Sequence, residues 1–167
     1  MTDQNNATEK ESIFRWETLQ VIGDHELDLP DPVTGKLMEV ELTSGRIIEV
    51  FRANDSVFYF CHGLSFGGKM APGGSISPFS GNPVTTILED FFIEREPRDA
   101  AIAGDLAIWY NSNGVPIHSA VILGCSPHTE PLVLDYSTLL RTKNGSHPES
   151  VVSLESLIDI YGKRCVI

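Results

Sequence analysis

Residues 103–123 read Ala-Gly-Asp-Leu-Ala-Ile-Trp-Tyr-Asn-Ser-Asn-Gly-Val-Pro-Ile-His-Ser-Ala-Val-Ile-Leu. Gly104 and Asp105 punctuate the start of an apolar, aromatic run from Leu106 to Tyr110. Asn111-Ser112-Asn113-Gly114 is a tight-turn sequence, and Val115–Leu123 returns as an antiparallel partner. Side chains alternate along a strand, so Val115, Ile117, Ser119, Val121 and Leu123 share one face while His118, Ala120 and Ile122 share the other. Ala120 leaves room beside the imidazole, which suits a cleft. Working outward, Asn82-Pro83 starts a helix with Asn82 as its cap, and Val84, Ile87, Leu88 and Phe91 give it one apolar face. Upstream lies a hairpin, Leu37–Leu42 and Arg46–Phe51 about the turn Thr43-Ser44-Gly45. Downstream, Leu132–Leu134 and Leu139–Lys143 read as strands, and Leu154, Leu157, Ile158 and Tyr161 mark a last helix stopped by Gly162. Strands that pair with their neighbours and helices that do not alternate with them make the fold α+β.

The chain has 167 residues, a length that suits one domain. Residues 1–12 read as a disordered tail and 13–167 as a single domain. That domain divides into an N-terminal elaboration (13–56), a core (57–145) and a C-terminal helix (146–167). Ile13–Ile22 reads as a short helix or an irregular packed segment, and Asp28–Lys36, with Pro30, Pro32 and Gly35, as a turn-rich connector. Twelve Lys+Arg against 23 Asp+Glu give a net charge of −11. That balance argues against nucleic acid and against an anionic membrane surface as partners. Most of the acid lies upstream of Cys61, and the run through residues 24–31 reads as solvated surface. No apolar stretch reaches the ~20 residues that span a bilayer. Met1–Ser12 is polar and acidic, unlike a Sec signal, so the expected site of synthesis is a reducing cytoplasm. Cys61, Cys125 and Cys165 form no CxxC pair, and Cys165 stands third from the end rather than in a prenylation box.

Chemistry concentrates at Phe58-Tyr59-Phe60-Cys61-His62-Gly63-Leu64, where an apolar run meets a glycine-rich segment. A thiol at the start of a short helix is activated by unpaired N–H groups and the helix dipole, and the same N–H groups can receive an oxyanion. Gly63 lets a substrate backbone approach closely. His118, 57 residues downstream, is of the type that takes the thiol proton and returns it to a leaving group. His25, His128 and His147 show no ligand spacing, so neither a metal nor a cofactor is expected. The glycine pairs Gly67-Gly68 and Gly73-Gly74 lack the Lys-Ser/Thr of a phosphate loop and read as a flexible rim. Cys125 and Cys165 read as spectators.

Three segments together resemble the NlpC/P60-type cysteine peptidases, in their Cys-His-Gly subgroup. Phe-Tyr-Phe-Cys-His-Gly-Leu-Ser-Phe-Gly (58–67) is similar to the nucleophile segment, Ala103–Tyr110 to the Pro-Gly-Asp-Leu strand, and Pro116–Leu123 to the Ile-x-His-x-Gly-Ile strand. The similarity spans residues 57–145 in matching order. It implies a papain-like α+β core, with the nucleophile Cys61 at a helix N-terminus packed on an antiparallel sheet and His118 facing it. It implies thiol-mediated amide hydrolysis of a peptide or peptidoglycan fragment, with Tyr59, His62 and Gly63 at the substrate. His62 replaces the commoner Ser, and Phe60 stands where Asp or Asn usually precedes the thiol. The third, imidazole-orienting residue has three candidates: Thr142, which fits best by role, Asp135 and Lys143. Without a Sec signal, a cell-wall substrate requires a specialised secretion apparatus or lysis. An antibacterial effector answered by an inhibitor or immunity protein would meet that requirement. The alternatives are a cytosolic acyltransferase or deamidase using the same dyad, and a degenerate domain that binds a peptide or partner without cutting it.

Overall fold

The structure is a computed structural model that describes residues 16–27, 32–54, 60–66, 76–77, 81–95, 101–124, 136–145 and 147–167. It is mixed α+β with two antiparallel sheets. In chain order the elements are β1 (Trp16–Leu27), β2 (Val33–Leu42), β3 (Ile47–Ala53), α1 (Cys61–Ser65), β4 (Ile76–Ser77), α2 (Gly81–Phe91), β5 (Leu106–Tyr110), β6 (Pro116–Gly124), β7 (Leu139–Lys143), β8 (Glu149–Ser153), α3 (Leu154–Tyr161) and β9 (Cys165–Val166). One sheet has the order β1-β2-β3-β4 and the other β8-β7-β6-β5-β9. Among the described residues no helix is long and apolar enough to cross a membrane.

The second sheet is covered on both faces around β5 and β6, which is why Leu106–Trp109 reads as an unbroken apolar run and is buried throughout. One core cluster joins the inner face of the first sheet (Met38, Val40, Leu42, Ile48, Val50) to Phe66, to Val84 and Ile87 of α2, and to Leu106 and Ile108 of β5. The other lies behind the second sheet, where Ala107, Trp109, Ala120, Ile122 and Leu140 meet Leu154 and Leu157 of α3. The helix faces are those set by the 3.6-residue period: Val84 and Ile87 are fully buried on α2, Leu157 on α3. Ser153 caps α3 by accepting from the Ser156 N–H at 3.3 Å, and Gly162, at φ +87°, ends it.

Both expected hairpins form. Gly114 takes φ +77° in the β5–β6 turn, where the Asn111 side chain accepts from the Asn113 and Val115 N–H groups at 2.9 and 3.0 Å. The β2–β3 turn docks on α2: Arg46 reaches Glu89 at 2.8 Å and Asp90 at 3.0 Å, and Ser44 donates to Asp90 at 2.6 Å.

Four readings are corrected. Trp16–Leu27 is a strand paired along β2, where Ile13–Ile22 suggested a helix or irregular segment. Propensity misled here because the pairing, with two register shifts, tolerates Gly23 and a mixed polar face. Val33–Lys36, expected within the turn-rich connector, already belongs to β2. The segment 146–167 holds β8 and β9 as well as α3, and both strands join the second sheet. Helix α2 also begins at Gly81, one residue before the expected cap. The 1–12 tail, the Leu132–Leu134 strand, both glycine pairs, Cys125 and His128 lie outside the described residues.

Candidate functional site

Helix α1 is five residues long and starts at Cys61. Its N-cap, Phe60, has an extended backbone and no side-chain oxygen, so no side-chain cap closes the first turn. The N–H groups of Cys61 and His62 turn instead to the sulfur, and both favour its thiolate form. The third backbone donor comes from the sheet. Ile122 donates to Asp105 O at 2.8 Å, so the even-numbered residues of β6 address β5. The backbone of Ser119 therefore addresses β7. The β6–β7 register runs from Gly124↔Leu139 to Val121↔Arg141 and stops there, although both strands continue. In the seam beyond, the Ser119 N–H and hydroxyl favour the Cys61 thiolate.

The two strand faces at this seam carry different chemistry. On the α1 face, His62 Nδ1 and Ser119 Oγ are 2.9 Å apart and both residues are buried. The His62 ring stacks on Phe66, centroids 6.1 Å apart. On the α3 face, His118 Nε2 meets Thr142 Oγ1 at 2.8 Å, again between buried groups. The His118 ring stacks flat on Tyr161, with centroids 4.0 Å apart and planes 8° apart, and lies against Trp109 at 5.6 Å. Tyr161 is held by its hydroxyl on Asn144 Oδ1 at 3.2 Å, and Trp109 Nε1 donates to Gly162 O at 3.1 Å. The space that Ala120 was expected to leave as a cleft is thus filled by aromatic rings, and His118 is 1% exposed.

Electrostatics follow burial. Both imidazoles are pushed down to about 4 by loss of solvent, His118 additionally by the charge that His62 would carry. Both rings are therefore neutral at pH 7. Burial raises the Cys61 thiol, and the N–H groups and Ser119 hydroxyl only partly offset this. The expected activation at the helix start is outweighed, because a five-residue helix contributes few aligned dipoles while desolvation acts in full. Lys143, buried and donating to His147 O at 2.5 Å, is lowered by burial and raised by the Cys61 charge; Tyr161 is raised by burial and by the same charge. Among the described residues, these two sense the charge of the thiol.

The structure thus brings Cys61, His62, Gly63, His118, Thr142 and Lys143 to one seam. No hydrogen bond joins Cys61 to His118 among the described residues; the thiol addresses Ser119, and His118 Nδ1 makes no hydrogen bond there. His62, expected at the substrate, is buried against Ser119 and Phe66, and Gly63 is buried beside it. Tyr59 and Asp135 lie outside the described residues. Cys165 is half-buried on β9, with its thiol pushed up to about 12 by burial. Ser119 and Tyr161 were missed by sequence reading. Ser119 had one usable signal: a hydroxyl within an apolar strand covered on both faces must find a partner.

Neither a protein-family model, a curated protein nor a solved structure matches this chain.

Proposed function

We propose that the chain is a thiol hydrolase that cleaves an amide bond, built on a papain-like core of NlpC/P60 type, with Cys61 as nucleophile and His118 as general base. The observation that carries this reading is the way His118 is held. Its Nε2 lies 2.8 Å from the Thr142 hydroxyl oxygen, and in this reading the ring is the donor, so that Nδ1 is the nitrogen that accepts a proton. With Nε2–H donated to the Thr142 oxygen, the tautomer is set for a base, and the depressed basicity keeps the ring neutral at pH 7.

The resting pair is then a neutral thiol and a neutral imidazole rather than an ion pair. As the sulfur attacks the carbonyl carbon, its proton passes to His118 Nδ1. The carbonyl oxygen gains the charge and the S–C bond forms. Collapse expels the amine, which takes the proton back from His118 and leaves a thioester on Cys61. Water, deprotonated by His118, attacks that thioester, releases the acid and regenerates the thiol. Thr142 acts through His118 and is a positioning residue. A peptide or peptidoglycan fragment is the substrate class, and no cofactor takes part.

The test is cleavage of muropeptides and blocked peptides, read by mass as gain of water, with and without hydroxylamine as competing acceptor. Cys61→Ala should retain the fold by circular dichroism and lose cleavage. Undiminished cleavage by that variant overturns the mechanism, and preferential transfer to hydroxylamine makes the chain an acyltransferase.

A further inference from the structure

The buried bond between His62 and Ser119 is used by none of these steps, yet each partner is the chain neighbour of a proposed reacting residue. His62 follows Cys61 on α1, and Ser119 follows His118 on β6. At 2.9 Å between buried atoms, this bond pins the start of α1 to the strand that carries His118. It also ties the direction of the Ser119 hydroxyl to the tautomer of His62. Ser119 has one hydroxyl proton and can give it to His62 or to Cys61, but not to both. If His62 Nδ1 is protonated, the ring donates to Ser119 Oγ and the hydroxyl proton is left for the sulfur.

We propose that His62 and Ser119 are positioning residues for the thiol, with His62 as the Nδ1–H tautomer holding Ser119 so that its hydroxyl donates to the Cys61 sulfur as the thiolate forms. The inference rests on Cys61 as the nucleophile of the proposed reaction, but its readout is the thiol itself. His62 stays a neutral ring throughout and carries no proton away. The donor set around the sulfur is consistent with this role: the Ser119 hydroxyl and N–H both favour the thiolate. Among the described residues, the other titratable groups near the thiol are Lys143 and Tyr161, which sense its charge, and His118 beyond the seam. Because those remain in every variant, a change in Cys61 ionisation on altering His62 or Ser119 reports on this bond.

The experiment is the pH dependence of iodoacetamide alkylation at Cys61, followed on its own peptide by mass spectrometry in the full chain. Ser119→Ala and His62→Phe should each raise the midpoint by about one pH unit, that is, about tenfold less thiolate at a fixed pH below it. The double variant should move it no further, since the two residues act as one device. His62→Asn, whose amide N–H occupies the Nδ1 position, should restore the wild-type midpoint. It also serves if the larger change disturbs folding. An unmoved midpoint in Ser119→Ala overturns the proposal, as does additivity in the double variant or failure of His62→Asn to restore. Peptide cleavage measured alongside separates the claims. Shifted midpoints without any cleavage by wild type uphold the positioning role and overturn the amidase reading. Cleavage with unmoved midpoints does the reverse.

Discussion

The two buried histidines stand on opposite faces of the second sheet, beside the same seam, and their similarities make their difference informative. Each is hydrogen-bonded to a buried hydroxyl, His62 to Ser119 at 2.9 Å and His118 to Thr142 at 2.8 Å. Each is pushed down to about 4 by burial. They differ in which nitrogen is engaged. His62 uses Nδ1, so the atom nearest its own backbone is tied to the neighbouring strand. His118 uses Nε2, the far atom, and its Nδ1 makes no hydrogen bond among the described residues. Burial and basicity are shared by the two rings; on the proposed reading the engaged nitrogen separates base from brace.

The sharpest way to break that comparison is to remove each ring in turn and read cleavage. His118→Ala should lower kcat by about 10²–10⁴-fold, the usual contribution of a general base. His62→Asn should stay near wild type. Equal losses would make the two faces equivalent and remove the distinction.

The next effect is on stability and follows from the shared property. The unfolded imidazoles titrate near 6.5 and the folded ones near 4. Between those values the unfolded chain binds protons that the folded chain refuses. The stability contributed by the neutral rings is therefore complete above about pH 6.5, drains as pH falls toward 4, and is not lost further below it. Each ring accounts for at most about 3 kcal/mol of this acid limb. Urea unfolding from pH 7 to 4 should show the fall, and His62→Phe should flatten part of it while His118 supplies the remainder.

Smaller still is the loss of one imidazole partner. Thr142→Ala should cost kcat about tenfold with KM little changed, since one net hydrogen bond is worth about 1 kcal/mol or slightly more. Thr142→Ser should recover it, and a loss confined to stability would reduce Thr142 to packing. The smallest effect lies away from both faces. Arg95 grips Asp105 at 2.5 and 3.0 Å, and Asp105 also accepts from Ile102 N–H at 2.8 Å. Asp105→Asn should lower stability by about 1 kcal/mol in thermal unfolding and leave cleavage unchanged.

Much of the frame could be read from residue order. The β5–β6 hairpin announced itself through Asn113-Gly114 and alternation, and α2 through the spacing of Val84, Ile87 and Phe91, because local turn chemistry and periodicity decide those elements. The strands β1, β8 and β9 were not legible, since nothing in Trp16–Leu27, Glu149–Ser153 or Cys165–Val166 alternates cleanly; their partners across the sheet make them strands. At the site, Cys61, His118 and Thr142 were visible as residue types with chemistry. Ser119 was not, because its role depends on which way one strand backbone faces and on where the β6–β7 pairing stops. The exposure of His62 was misjudged for a related reason. A histidine in a glycine-rich segment reads as surface until the helix it belongs to is docked on a sheet.

The central claim is that one sulfur, at the seam between β6 and β7, does the cutting. It is tested most directly by incubating wild type and Cys61→Ala with muropeptides and blocked peptides and looking for an acyl group on Cys61 by mass spectrometry as well as for cleaved product. A thioester on Cys61 and cleavage by wild type alone is the expected result. Cleavage that survives Cys61→Ala, or product formed with no acyl group ever trapped on Cys61, would contradict it.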